Sequence, residues 1–358
     1  MIMNYMKYIL VVVAVSLVSG LTCTSCSDNM PDDETGNVSD GSLTIRVSVT
    51  DFEWGQVPYT YSRASDPMTP EMENSLKTLA ILQFDSEGSL RRELGTREKP
   101  FKYINLVDET TPNGVLTYNI TLAQDEFYHG ENCAICIMAN VPEEEVMKVV
   151  FTDQENKVNT NLKTFRTEKI TIPYVTDPSA NDSYGLQIGH VKHIYMFGEY
   201  TGDVTSSTQQ LNIGLGRMIS RLQIEIKSDV NVKEGYGLYL GIKNLEQEVY
   251  FYHGETSPNN LFTEANPFDI LANGVSDEKV NLKEGVKIFF YVAPRMANNP
   301  ENATSLNFWY TDTKPDPNNP DYTLPLGNHK PGSEVGDYSL NRNTYYMFYV
   351  NLTERSSE

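Results

Sequence analysis

The sequence predicts an all-β protein, two tandem β-sandwich domains behind an export signal. Three observations predict it. Short segments alternate apolar and polar residues with a period of two, Gly, Pro and Asn separate them as turns, and one apolar run stands apart at the amino terminus. At 358 residues a single sandwich would be unusually large, whereas two ordinary domains fit. Hydrophobic residues make up 39% of the chain, enough for packed cores over most of its length.

At the amino terminus, Lys7 ends a short leading region and residues 8–21 read YILVVVAVSLVSGL. That run is too short, and too rich in small residues at its end, for a membrane span, so it reads as a secretory signal. A lipoprotein signal peptidase admits small side chains just before its cysteine. Thr24-Ser25 therefore makes Cys26 the expected lipidation site, with Cys23, behind Leu21-Thr22, as the weaker alternative. Residues 1–25 are then signal peptide and 26–41 a flexible lipid tether without apolar periodicity. The acids Asp28, Asp32, Asp33 and Glu34 lie close behind Cys26. That arrangement resembles the surface-export signal of lipoproteins in certain Gram-negative anaerobes, and implies a surface-exposed place on the outer membrane.

The first domain is expected over 42–205. Leu43, Ile45, Val47 and Val49 alternate with Thr44, Arg46, Ser48 and Thr50, the pattern of a strand with one buried face. A loop over 51–74 carries Pro58, Pro67 and Pro70. Further strands are expected at 76–84, closed by the turn Asp85-Ser86-Glu87-Gly88, and at 115–122, 132–139, 169–172 and 193–197. Pro142 followed by Glu143, Glu144 and Glu145 opens a helix, because proline suits the first turn and acids suit the positive end of the dipole. The polar stretch 198–210 interrupts the pattern and places the border there, so the second domain is 206–358. Its strands are expected at 211–227, 236–242, 249–252, 286–292, 306–310 and 343–352. Loops rich in Pro and Asn over 293–304 and 312–337 belong on the surface.

Composition excludes several functions. Lys and Arg number 28 against 48 acids, a net charge of −20, so no basic face is present for nucleic acid. Cys133 and Cys136 have redox spacing, but their flanks predict a strand, where residues three apart face opposite sides. They read as core cysteines. His190 and His193 fail the same test, and His129 has no companions at zinc spacing. Asp312, Asp316 and Asp321 lack the spacing of a calcium loop and read as a solvated acidic loop. Gly214-Leu215-Gly216-Arg217 lacks the third glycine of a dinucleotide fingerprint. No nucleophile elbow, phosphate loop or zinc-protease motif occurs, so neither catalysis nor a cofactor nor a metal is expected. Trp54, Tyr59, Tyr61, Trp309 and Tyr310 could stack on sugars, although packing is the commoner role for such residues.

Several segments, in order, resemble the fimbrillin superfamily, the subunits of type V pili. They are the alternating strand 43–49, the loop with Arg63-Ala64, the strand LKTLAILQFD at 76–85 and AICIMANVP at 134–142. Arg217-Met218-Ile219-Ser220-Arg221-Leu222 resembles the opening of the second domain, and Leu340-Asn341-Arg342-Asn343-Thr344-Tyr345-Tyr346 the closing strand. The resemblance implies two transthyretin-like sandwiches and a structural, non-catalytic role in a surface fimbrium. It implies cleavage at Arg63-Ala64, removal of the strand bearing Leu43, Ile45, Val47 and Val49, and strand exchange with other fimbrial subunits. Further implied partners are the outer membrane, through lipid, and ligands on host or bacterial surfaces. The chain stops six residues after Leu352, so no long carboxy-terminal donor extension is evident and the tip and anchor roles stay open. The rival reading is a surface glycan-binding lipoprotein.

Overall fold

The computed structural model describes residues 9–14, 41–51, 53–54, 73–108, 114–174, 191, 193–205, 207–208, 210–228, 234–252, 261–262, 268–270, 282–283, 285–327 and 337–354. The fold is all-β. In chain order the strands of its three larger sheets begin with β1 (Ile9–Ala14), β2 (Leu43–Val49), β3 (Glu53–Trp54), β4 (Thr78–Phe84) and β5 (Lys102–Asn105). β6 (Thr117–Leu122), β7 (Gly130–Ala139), β8 (Met196–Val204) and β9 (Gln210–Arg217) complete the first half. The rest are β10 (Ser220–Ser228), β11 (Gly237–Lys243), β12 (Phe268–Asp269), β13 (Val286–Val292), β14 (Ser305–Thr311), β15 (Tyr322–Pro325) and β16 (Thr344–Glu354).

The first sheet runs β5-β4-β7-β8-β9-β2-β6. It curls on itself, so that Leu43 and Ile120 on one limb share a core with Ile81 and Ile137 on the other. Its central strands are covered on both faces: every residue of β7 from Cys133 to Ala139 is buried. Helix α1 (Glu143–Val150) helps to cover them, with Val146, Val149 and Val150 turned into the core. The acids of its first turn meet the helix dipole, as the sequence suggests. A second helical turn, α2 (Leu162–Phe165), adds the buried Phe165.

The second sheet runs β1-β16-β10-β13, with β3 also on β16, and the third runs β12-β11-β14-β15. Leu222, Ile224, Phe290, Phe348 and Val350 of the second share a separate core with Leu238, Leu240, Leu306 and Phe308 of the third.

The structure departs from the expected layout in three places. Polar residues 198–204 continue strand β8, and β9 returns beside it, antiparallel at Met196–Arg217 and Phe197–Gly216. The stretch is polar because the far end of β8 is exposed on one face. β9 pairs with β2 of the first sheet, so the change of sheet falls at Met218-Ile219 and does not coincide with the expected border at 205/206. Residues 9–14, expected outside the fold within the signal peptide, pair antiparallel with β16, Ile9 opposite Glu354 to Ala14 opposite Tyr349. The physical reason is that ILVVVA is rich in β-branched residues and β16 offers an outer edge. The loop expected over 312–337 contains β15, whose Leu324 is buried.

Candidate functional site

Strand β2 lies inside the first sheet, not on its edge. It pairs parallel with β9, from Thr44 opposite Gln210 to Val49 opposite Leu215. On its other side it pairs antiparallel with β6, from Leu43 opposite Leu122 to Ser48 opposite Thr117. Alternation sends Leu43, Ile45 and Val47 inward, each at 0% exposure. Val49, expected with them, packs against the core but is only partly buried. At about 1.5–3 kcal/mol per fully buried aliphatic side chain, the three contribute roughly 5–9 kcal/mol. Among the described residues β6 joins the sheet through β2 alone. Without β2 the first core would hold a slot one strand wide between β9 and β6, the latter kept in place by the burial of Ile120 and Leu122.

The strand ends at a polar clamp. The Thr50 amide and hydroxyl both donate to Leu215 O, at 2.9 and 3.0 Å. A Cβ on Gly214 would stand 2.7 Å from the Thr50 methyl and meet nothing else within 4 Å. Glycine there makes room for a β-branched residue at position 50. The chain then leaves the first sheet, and β3 joins β16 at Thr344 and Tyr345.

Arg217, the last residue of β9, is 1% exposed. Its Nη1 donates to Thr50 O at 2.8 Å and to Asn343 Oδ1 at 2.9 Å. Its Nε donates to Glu73 O at 3.3 Å, and its Nη2 to Asn74 Oδ1. Burial lowers its pKa to about 10, against the raising effect of the Glu73 and Asp51 carboxylates, so it is charged at neutral pH. Buried Glu73 accepts from Arg221 Nη1 at 2.9 Å and from the buried Tyr291 hydroxyl. Asn343 Nδ2 donates to Asp51 O at 2.8 Å and Thr50 Oγ1 at 3.3 Å. Its own amide donates to Ile219 O at 2.8 Å, at a φ of 51° that asparagine tolerates better than most residues. Residues just before and just after the 55–72 stretch are thus held by one group of side chains where the first and second sheets meet.

The expected cleavage bond Arg63-Ala64 lies within that stretch, outside the described residues, as do Cys23, Cys26, Tyr59, Tyr61 and His190. Trp54 sits in β3. Trp309 is 3% exposed and its indole N–H donates to Asp316 O at 2.8 Å, so it packs and offers no sugar platform. Tyr310 is partly buried with its ring centroid 4.9 Å from that of Tyr236. Cys133 and Cys136 are free and buried, and burial raises both thiol pKa values. The acidic loop is engaged internally: Asp316 Oδ1 accepts from Asn318 N at 3.0 Å, and Asp321 Oδ2 from Tyr310 N at 2.7 Å. Among the described residues, no group of three His, Cys, Asp or Glu side chains is placed to hold a metal ion.

The all-β fold has solved counterparts. The tip fimbrial protein of Porphyromonas gingivalis, solved with a carboxy-terminal truncation, superposes with a TM-score of 0.52 at 12% identity. The match covers 88% of this chain and 98% of that one. A candidate cell adhesion protein of Parabacteroides distasonis gives 0.51 at 14% identity, over 88% of this chain and 89% of that one. The chain shares the fold of these fimbrial and cell adhesion proteins. No protein-family model matches the sequence, and no curated protein does.

Within this fold the segments singled out in the sequence have physical roles. Ala139-Asn140 ends β7, with Asn140 at a φ of 63°. Its side chain accepts from Lys77 N at 2.7 Å and donates to Ser75 O and Ile194 O, both at 2.9 Å. Arg217 and Asn343 belong to two more of those segments and form the clamp. Glu73, Asn74 and Thr50 were not legible as members of it. A buried carboxylate next to a proline-bearing stretch of sequence has no periodic signature.

Proposed function

We propose that the chain is a structural subunit of a cell-surface fimbria, exported as a lipoprotein and assembled by strand exchange. The observation that carries the reading is the placement of β2. It is an interior strand, near the amino end of the folded chain, followed by a polar proline-bearing stretch with an arginine. Cleavage at Arg63-Ala64 would cut the covalent tie between β2 and the rest of the chain. The slot between β9 and β6 would then present unpaired backbone groups and an apolar floor to a strand of another subunit. The same cut would separate the fold from the lipid at Cys26, where two or more acyl chains anchor a protein firmly. Location at the outer membrane and then in the fimbrium follows from that route, and no step calls for catalysis. The solved fimbrial tip and adhesion proteins of the same fold support the reading. An uncleaved anchor subunit would instead keep both strand and lipid. The glycan-binding alternative loses one of its aromatic candidates in buried Trp309.

Treatment of the purified precursor with an arginine-specific protease, beside its Arg63→Ala variant, tests this. The expected result is one cut in the wild type, none at that site in the variant, and polymer only after the cut. If both proteins resist, the anchor role replaces the exchanged one. If the wild type is cut at Arg63 but takes up no strand, exchange is wrong.

A further inference from the structure

We propose that Arg217, Asn343 and Gly214 form a strand-end clamp, selecting which strand fills the slot and in which register; this rests on the exchange reading above. Apolar alternation alone cannot fix register fully. A slip of one residue turns Thr44, Arg46 and Ser48 inward and is excluded, but a slip of two keeps an apolar face inward. Something at the end of the strand must decide the even slips. The contacts at Thr50 and Asp51 have the chemistry to do so.

Two of those contacts are blind to sequence. Arg217 Nη1 and Asn343 Nδ2 donate to the consecutive main-chain carbonyls of Thr50 and Asp51. Any strand leaving the slot presents such carbonyls, so they accept many strands and mark where the chain must exit. The other contacts read a side chain. The Thr50 hydroxyl is shared between Leu215 O and Asn343 Nδ2, and its methyl occupies the space that Gly214 leaves open. The favoured occupant is therefore an extended strand with apolar residues at the positions of Leu43, Ile45 and Val47. At the position of Thr50, three residues past the last of these, it carries a small β-branched hydroxyl residue. A strand shifted by two one way would put Phe52 against Gly214 and lose the hydroxyl; shifted the other way it would put Ser48 there, which lacks the methyl, and Gly41 at the apolar position of Leu43. Because Arg217 also holds Glu73 O and Asn74, the same guanidinium links the occupied slot to the chain beyond the 55–72 stretch.

The test uses the full chain with a site for an unrelated specific protease inserted within 55–72, so that nicking does not depend on Arg63. After nicking, excess fluorescent peptide of residues 42–54 is exchanged in, and retention is read by gel filtration. The native peptide should be retained, and an Ile45→Ser peptide rejected. A Thr50→Val peptide, with the same shape but no hydroxyl, should bind roughly tenfold more weakly. That loss should shrink on an Asn343→Ala chain. A Gly214→Ala chain should reject the native peptide and regain binding with Thr50→Ser, which lacks the methyl. Equal binding of the Thr50→Val and native peptides, with Ile45→Ser still rejected, would overturn the clamp and leave exchange standing. A Gly214→Ala chain that holds both peptides alike would also count against the clamp. No retention of any peptide would sink the exchange reading, and the clamp with it.

Discussion

Amino-terminal segments supply strands to both the first and the second sheet, but the two positions are unlike. β2 lies between two partners, buries three aliphatic side chains completely and ends in the Arg217 clamp. β1 and β3 lie along one edge of β16, with a wall on one side only. An interior slot constrains what fills it through packing, two hydrogen-bond ladders and an end stop. An open edge constrains little and pairs with whatever extended segment is near. The difference explains why a stretch expected to be signal peptide pairs with β16 along an open edge, while β2 is enclosed on both sides.

The largest expected effect concerns where one unit ends. β9 belongs to the first sheet, and Val249 and Phe251, from the second half, are buried in the first core. Phe251 lies with its ring centroid 5.2 Å from that of Phe165 and 5.7 Å from that of Phe197. A fragment of residues 206–358 should therefore fail to unfold cooperatively in denaturant, with β9 unpaired and Phe251 in water. A cooperative transition like that of the full chain would mean that the two halves are independent.

Next comes the contrast between slot and edge. Ile45→Ala should cost about 2–5 kcal/mol in denaturant unfolding, as fully buried aliphatic truncations do. A chain lacking residues 1–25 should keep one cooperative transition and lose amide protection only along the outer edge of β16. If that deletion costs as much as Ile45→Ala, the edge is a built site and the contrast fails.

Arg217→Ala should cost on the order of 3 kcal/mol, because it removes the donor to the main-chain carbonyls of Thr50 and Glu73 and the positive charge beside the buried Glu73 carboxylate. Arg217→Lys should recover little, since an ammonium cannot span donors fixed by a planar guanidinium. Recovery with lysine would reduce the clamp to a point charge.

The smallest effect lies at the end of the wall strand β6. Glu126 accepts from Ala123 N at 2.9 Å and pairs with Lys102 at 2.9 Å. The Ala123 amide first, then Lys102, lower its pKa below the ordinary 4.5. A lowered carboxylate pKa contributes stability above its unfolded value, which is lost as pH falls through its folded value. Glu126→Gln should therefore cost about 0.2–0.5 kcal/mol at pH 7, since the side chain is well exposed, and nothing below the folded value. A loss that persists in strong acid would assign the effect to packing.

Much of this was legible in the sequence, and the limits have physical causes. Period-two alternation placed β2, and apolar runs bounded by turn residues placed β11, β13 and β14 within a residue or two. The flanks of Cys133 and Cys136 suggest a strand, and both lie buried in β7. The change of sheet at Met218-Ile219 has no compositional signal, whereas exposed strand ends such as 198–204 look like linkers: polarity there reports solvent, not chain organisation. β15 was missed because four residues bounded by Pro and Asn carry too short a period. The clamp was half legible. Arg217 and Asn343 stood in segments resembling one family, but their meeting with Thr50 and Glu73, more than a hundred residues away, depends on how the sheets join.

The central claim is that β2 occupies a replaceable slot. Hydrogen exchange on β9 and β6, followed through nicking within 55–72, removal of the amino-terminal fragment and addition of the 42–54 peptide, tests it most directly. The account predicts protection in the intact chain, its loss from the amides facing β2 once the fragment is gone, and its return with the peptide, while β7 stays protected throughout. Protection that survives removal of the fragment, or β7 unfolding along with it, would contradict the account.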